Sequence, residues 1–414
     1  MKILWIGSYV SDEMFNNMPV KSVGQASGFT AQRSIIGGLD DNLKSMGVVM
    51  DTINIQGIPP YPKCSQKRCP RQVWSRNGDS LDVCVEFNNT KLFRVLSKEK
   101  SLIREVLDWV NKNKDEEAIH VFVYEPVLAR LKAISKIKKY SENIKCHLIV
   151  PDVPEYVGKG TNKVVKFLKL IRKKLVDRYL KYVDDYIFFA DEMAKYYNTP
   201  NDNYMVMEGS IDQRDVDFLL ENQQTNDDFI LMYSGAICTQ RAIPRFLEAF
   251  NNYKNDNVKL WFTGGGDCDE LVRRYAEKDS RITHYGFLDT REEVLSLESK
   301  ATALLHIRDK DALLSRFCFP SKLFEYMVSG KPVITVKISG IPDEYYNYLI
   351  ELEELTYEGL SKVVEKLVSM NGEEMKSFGE KARRFVLKTK TAKNQAKRII
   401  DFAMGSSVFD SKVY

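Results

Sequence analysis

The stretch VKLWFTGGGDCDELVRRY, residues 258–275, reads as a strand, a glycine turn and a helix in direct succession. Gly264, Gly265 and Gly266 stand between the apolar run and the helical segment. The same unit recurs on both sides of it. FILMYSG (229–235), ITHYGF (282–287), ATALLHI (301–307) and KPVITV (331–336) are further apolar runs of strand length, each followed by a helix-like or turn segment. Toward the N-terminus come KILWIGS (2–8), VMDTINI (49–55), AIHVFVY (118–124), CHLIVPD (146–152), DDYIFFA (184–190) and NYMVMEG (203–209). Strands alternating with helices predict parallel sheets with crossover helices, so the fold class is α/β. Residues 51–100 are less regular, and PPYPKCSQKRCPRQ within them reads as a surface loop.

The polar, Asn/Gln-rich segment 213–227 interrupts the alternation, which restarts at 228. The expected division is therefore a first domain over 1–212 and a second over 228–392. A helical segment in 393–414 has no strand after it and is left to pack back on one of them. A chain of 414 residues suits two such cores. Two doubly wound domains in series predict ligand binding in a cleft at the C-terminal strand edges.

A hydrophobic share of 44% with 29% charged residues describes a folded globular chain, and a net charge of +4 gives no whole-molecule affinity for nucleic acid. The seven cysteines have neither paired spacing nor a C-x-x-C motif, which argues against a disulfide framework or a zinc site. MKILWIGSYV (1–10) reads as a first strand and not as a signal peptide, and no uncharged apolar run reaches membrane-spanning length. The expected location is cytoplasmic. The four histidines, in or beside apolar strands, are read as core or strand-edge residues without ligand spacing.

Candidate chemistry concentrates in the second domain. The glycine triplet fits either a tight turn or the close approach of an anion to a helix N-terminus. FPSKLFEYMVSGKPVI (319–334) predicts a helix that starts at Pro320 and Ser321, ends at Gly330 and feeds a strand. Leu323, Phe324 and Met327 form its apolar stripe and leave Lys322 and Glu325 neighbours at i, i+3. That pair is either an exposed ion pair or a lysine for a diphosphate beside a carboxylate for sugar hydroxyls.

On this string, with the ISGIPDEYY that follows, the chain resembles the retaining family-four glycosyltransferases, and more narrowly their capsular and exopolysaccharide branch. The resemblance covers the second domain through YSGAI, TGGGD and HYGF, and the first domain only in outline. It implies the GT-B fold, two Rossmann-like domains facing across a cleft, and a metal-independent, cofactor-free transfer of a hexosyl group from a nucleotide-sugar donor, a UDP-sugar above all. The resemblance further implies that Glu325 binds the ribose, that Lys322 binds the diphosphate, and that Ser321 belongs to the donor site. Gly264 and Gly266 would shape its floor, and Gly286 and Phe287 would lie near the base. Arg241 stands where the family has a phosphate-binding lysine, whereas Ala236 replaces the arginine expected beside it. That contact is then either missing or supplied from elsewhere, by Arg316 or Arg308. Phe317, eight residues before Glu325, replaces an acid that contacts the donor sugar in the family.

In the first domain, GQASGFTAQRSIIGGL (24–39) places Gly24, Ser27 and Gly28 before a helix, either as a flexible loop or, by the resemblance, with Gly28 near the donor phosphates. Asp152 ends a strand, either as a turn former or, by the resemblance, as a catalytic residue close to where relatives place a His or Asp facing the reacting sugar. The basic amphipathic segment 159–181 combines Lys163, Lys166, Lys169, Arg172, Lys173, Lys174, Arg178 and Lys181 with apolar Val164, Leu168, Ile171 and Leu175. It suits either a solvated helix face or an anionic membrane surface on the inner side of the cell membrane. The implied acceptor is a lipid-linked saccharide. Two other classes stay open: a GT-B sugar-nucleotide epimerase, and a non-catalytic scaffold of a polysaccharide assembly.

Overall fold

A computed structural model describes residues 1–18, 23–153, 163–211, 213–224, 226 and 228–405, with the side chains of 23–27, 163–169, 313 and 314 outside that description. They form two compact units. The first takes Met1–Phe189, Met193–Met207 and the terminal segment Ala392–Tyr414, and the second takes Ala190–Glu192 and Glu208–Thr391.

The strands of the first unit are β1 (Lys2–Gly7), β2 (Met50–Asn54), β3 (Arg68–Cys69), β4 (Gln72–Trp74), β5 (Asp82–Cys84), β6 (Phe87–Asn88), β7 (Ile119–Tyr124), β8 (Ile144–Val150), β9 (Asp185–Phe188) and β10 (Tyr204–Val206). Eight of them make one sheet in the order β10-β9-β8-β7-β1-β2-β5-β4, parallel except for the edge pair β4–β5. The chain begins mid-sheet, steps outward through β2 and β5, and then crosses to β7 and continues the other way. All six residues of β7 are buried, as a parallel strand covered on both faces requires.

The helix Val23–Ser45 follows β1 and includes Gly28, so this glycine is helical and not in a preceding loop. Gln32 explains the local arrangement: its Oε1 accepts from the Ser8 N–H at 2.9 Å, and its Nε2 donates to the Gly28 carbonyl at 3.2 Å. The helix Ala392–Met404 packs against the same helix. A side chain at Gly38 would run into the Ala392 carbonyl, so the glycine is needed for this close approach. Asn42 fixes the contact by donating from Nδ2 to the Lys393 carbonyl at 2.9 Å.

Two sequence expectations are corrected here. The segment expected as a surface loop buries Cys64 and Cys69, carries β3 and leads directly into β4. The second unit begins at Glu208 and not at 228, because the helix Gln213–Glu221, read as linker, buries Val216 and Leu219 against Ile230 and Met232 of that unit.

The second unit has β11 (Phe229–Ala236), β12 (Val258–Gly265), β13 (Ile282–His284), β14 (Ala303–His306), β15 (Val333–Thr335) and β16 (Ile350–Glu351). They form a fully parallel sheet in the order β13-β12-β11-β14-β15-β16. Alternation along β11 serves both faces: Leu231 and Tyr233 enter one core, Ile230 and Met232 the other. Strand order reverses between β11 and β14, the point where a doubly wound sheet opens a crevice at its C-terminal edge.

Candidate functional site

The helix Lys322–Val328 lies just before β15 and is nearly surrounded by protein. Leu323, Phe324, Tyr326, Met327 and Val328 are all buried, two more than the expected stripe contains. Ser321 precedes it as an exposed residue whose side chain makes no capping bond, contrary to its expected part in starting the helix. Arg383 holds the other end, donating to the carbonyls of Val328 at 2.7 Å and Ser329 at 2.5 Å.

On this helix Lys322 and Glu325 do pair, but Glu325 is only 6% exposed, so the exposed-ion-pair reading does not hold. The pair belongs to a larger charged chain. Glu325 Oε1 accepts from Lys322, and its Oε2 accepts from Arg291. Arg291 also grips Asp215, with Nη2 at 2.6 Å and Nε at 3.2 Å from the two carboxylate oxygens. Lys322 Nζ also lies 2.7 Å from Oε1 of the fully buried Glu298. Ser234, on β11, donates its hydroxyl to Glu298 and receives a hydrogen bond at its carbonyl from Tyr326 Oη at 3.0 Å.

Asp215, Arg291 and Glu298 are members of this charged chain that the sequence analysis missed. The helix of Arg291 and Glu298, Arg291–Lys300, starts with a capping box in which Thr290 and Glu293 satisfy each other's backbone N–H groups. From that start, Arg291, Leu295 and Glu298 fall at i, i+4 and i+7 on one face. A charge at each end of an otherwise apolar face was the available signal.

The two carboxyls titrate in opposite directions. Burial and the neighbouring Glu325 carboxylate push Glu298 up to about 8, against the pull of Lys322. Burial also opposes ionisation of Glu325, but Lys322 and Arg291 outweigh it and hold that carboxyl at about 2. Near neutral pH, then, Lys322 faces one carboxylate and one neutral acid.

Between the unfolded value of about 4.3 and about 8, the folded chain keeps a proton on Glu298 that the unfolded chain has released, so stability falls as pH rises across that window. Glu325 acts the other way: its contribution is present above its unfolded value and is lost as pH falls toward about 2. Glu298→Gln is therefore expected to flatten the decline of melting temperature between pH 5 and pH 8. Parallel wild-type and variant profiles in thermal scans would refute the protonated Glu298.

At the ends of β11, β12 and β13 three loops are laced together by backbone bonds. Gly264 N–H donates to the Gly286 carbonyl at 2.8 Å, Ile237 N–H to that of Gly265 at 3.1 Å, and Cys268 N–H to that of Ile237 at 3.0 Å. Gly264 has φ +127°, and a side chain there would strike the Gly235 carbonyl; one at Gly266 would strike that of Ile237. Loop packing thus accounts for both glycines, while Gly265 borders open space. The helix after them already carries acids in its first turn. Asp269 pairs with His284 at 2.7 Å and Arg273 at 2.9 Å, and Asp267 accepts from the Thr239 N–H at 3.0 Å. Beyond Gly286, Phe287 is 74% exposed, an aromatic face open to a planar ligand.

Arg241 is half-buried in the turn Thr239–Arg241 after β11, near Tyr233, whose hydroxyl donates to the Ala236 carbonyl at 2.8 Å. Arg316 is paired with Glu192 at 3.0 Å, and Phe317 is buried. Arg308 follows β14 and is buried.

In the first unit, Asp152 is half-buried two residues beyond β8. The helix Lys163–Leu180 covers most of the basic segment. Residues 159–162, and the side chains of Lys163, Val164, Lys166, Leu168 and Lys169, lie outside the described residues. Its later turns expose Leu170, Ile171 and Leu175 among Arg172, Lys174 and Arg178. Among the described residues, no helix is long and apolar enough to cross a membrane, and no three His, Cys, Asp or Glu side chains group as metal ligands would.

Residues 217–385 match the family described as "Glycosyl transferases group 1". Among solved structures, the trehalose-6-phosphate synthase OtsA is similar at 9% identity over 99% of both chains, with a TM-score of 0.65. Sucrose-phosphate synthase from Thermosynechococcus elongatus is similar at 13% identity over 100% of both chains, with a TM-score of 0.62. Anabaena HepE, solved in complex with UDP, is similar at 11% identity over 97% of this chain and 99% of that one, with a TM-score of 0.59. No curated protein sequence matches. The fold is GT-B, and the likeness extends to sugar-phosphate synthases without singling out the capsular branch.

Proposed function

Because residues 217–385 match the group 1 glycosyltransferases, we propose that the chain is such a transferase and moves a hexosyl group from a UDP-sugar to a lipid-linked saccharide in surface polysaccharide synthesis. The observation that carries the donor half is the charged chain of Asp215, Arg291, Glu325, Lys322 and Glu298 around one short helix, with its two glutamates buried. Lys322 keeps a quarter of its side chain exposed while two carboxyls hold it in place. A cation fixed in this way, with one of its acids neutral, retains charge for a leaving diphosphate.

In the proposed reaction the bond from the anomeric carbon to the β-phosphate oxygen breaks, and Lys322 and Arg241 take up the charge growing on the diphosphate. The acceptor hydroxyl attacks from the face that the diphosphate leaves, and its proton passes to a diphosphate oxygen. Anomeric configuration is retained without a metal. Phe287 stacks on the base beside Gly286, and Glu325 and Ser321 meet the ribose and the diphosphate. Gly264 and Gly266 shape the floor by fixing the loops. In the first unit, Asp152 serves as a catalytic residue, and Gly28 belongs to the helix Val23–Ser45. Support for the polysaccharide branch and its acceptor comes from the FPSKLFEYM string, and the proposed peripheral seat on the inner membrane face rests on the exposed apolar and basic turns of the helix Lys163–Leu180.

The test is a thermal-shift panel of nucleoside diphosphates and their sugars. A ligand bound only by the folded state adds about 2.7 kcal/mol at a hundredfold excess over Kd. A rise with UDP and one UDP-sugar is the expected result; no rise with any nucleotide would overturn the transferase reading.

A further inference from the structure

The first unit holds a pair of cations that the proposed transfer does not use. Arg94 and Lys98 fall at i, i+4 on the helix Arg94–Lys112, both turned toward the chain that leaves β2. Arg94 Nη2 donates to the Ile58 carbonyl, and Lys98 Nζ donates to that of Gln56 at 3.1 Å. The same Nζ stands 4.2 Å from the centre of the Phe87 ring. Arg94 Nε is buried and meets no hydrogen-bond acceptor among the described residues. The groups that act on Arg94 are Cys69 and Cys64, and those that act on Lys98 are Arg94, Cys69, Cys84 and Arg130, with no carboxylate among them. Neighbouring acids are engaged elsewhere: Glu99 with Lys132 at 2.7 Å, Glu105 with Arg71 at 2.6 Å, and Glu86 with Arg104. Burial, and then Arg94, bring Lys98 down to about 7.

The surroundings favour an anion. Residues 55–98 contain eight basic and three acidic residues, so this stretch alone exceeds the net charge of +4 on the whole chain. Two part-buried cations without a counter-charge are destabilising by themselves. A phosphate group carries about −1.5 to −2 charges near neutral pH and answers both, Arg94 through its planar fork and Lys98 as a point charge. We propose that Arg94 and Lys98 form a phosphate-binding site of the first unit, separate from the donor site. It lies on the β2–β5 side of a sheet whose order reverses between β1 and β7. A bound dianion holds the proton on Lys98, so binding takes up a proton above about pH 7 and weakens as pH rises from there. Two sources carry this chemistry: a soluble phosphate monoester and a phospholipid headgroup. Leu92, Phe93, Val95 and Leu96, in and just before the same turn, are each more than half exposed and would meet the acyl chains of the second.

The test is titration of the full chain, as wild type, Arg94→Met and Lys98→Met, with glycerol phosphate and with phosphatidylcholine vesicles that contain or lack phosphatidic acid. Loss of a charge-assisted contact is expected to weaken binding about 10- to 100-fold in either variant. Calorimetry above pH 7, in buffers of different ionisation enthalpy, should show proton uptake in wild type and none in Lys98→Met, a readout that a purely structural lysine would not move. Glycerol phosphate binding that depends on both residues assigns the site to a soluble monoester. Binding confined to the phosphatidic acid vesicles, with the same dependence, assigns it to a headgroup. Equal binding by wild type and both folded variants overturns the inference, as does a wild type that binds neither probe. UDP should bind wild type and Lys98→Met alike; a matching loss of UDP would make the pair part of the donor site and overturn its separateness. If phosphate binding depends on the pair while UDP binds nowhere, this site stands and the transferase reading fails.

Discussion

Lys322→Ala is expected to lower kcat by about 10²- to 10³-fold, the range seen when one preorganised group is removed from a developing negative charge. The donor KM should change much less, because the contacts proposed for the base and the ribose do not involve Lys322. Lys322 is unusually well placed for this role. Its ammonium is held at 2.7 Å by Glu298 and directly by Glu325, so its position does not have to be found when the diphosphate departs. Single-turnover rates with a UDP-sugar would check it. A variant that keeps wild-type kcat, or one that alters KM alone, would remove Lys322 from the chemical step.

The second large effect is on the fold. Glu325→Ala takes the shared anion from between Lys322 and Arg291 and leaves two cations close together beside a buried cavity. Removing one member of a buried ion pair costs about 3–5 kcal/mol, so a large fall in denaturation midpoint is expected along with loss of donor binding. Glu325→Gln keeps the volume and separates the two consequences. It should melt higher than Glu325→Ala yet still bind UDP weakly, since an amide cannot receive both cations and the ribose as a carboxylate does. Wild-type UDP affinity in Glu325→Gln would show that the carboxylate serves only the fold.

Much of the second unit was legible in its sequence. Every apolar run placed there became a strand, and the spacing of Lys322 and Glu325 did put them together. Their burial was not legible. It depends on Arg291 and Glu298, which lie on another helix, and on Asp215, which lies on a third. Periodicity shows which residues share a face but not which faces will meet.

The misreadings have similar causes. Val23–Ser45 is a helix despite its glycines, each costing about 1 kcal/mol relative to alanine, because the helix Ala392–Met404 packs against it from more than 300 residues away. The short strands β3 to β6 have two or three residues each, too few to show an alternating pattern. Gln213–Glu221 looked like a linker because its exposed face is polar, and two buried positions were enough to anchor it. That Arg94 and Lys98 face no carboxylate could be seen only once their neighbours were in place.

The packing of Ala392–Met404 on Val23–Ser45 also sets an order of events during synthesis. The first unit emerges from the ribosome first, but the helix that covers its glycine-lined face is translated only after the whole second unit. At about 5–20 residues per second, that face is left uncovered for on the order of ten seconds or more. The second unit is complete at Thr391, so it can fold while the unit begun before it still waits for its last helix.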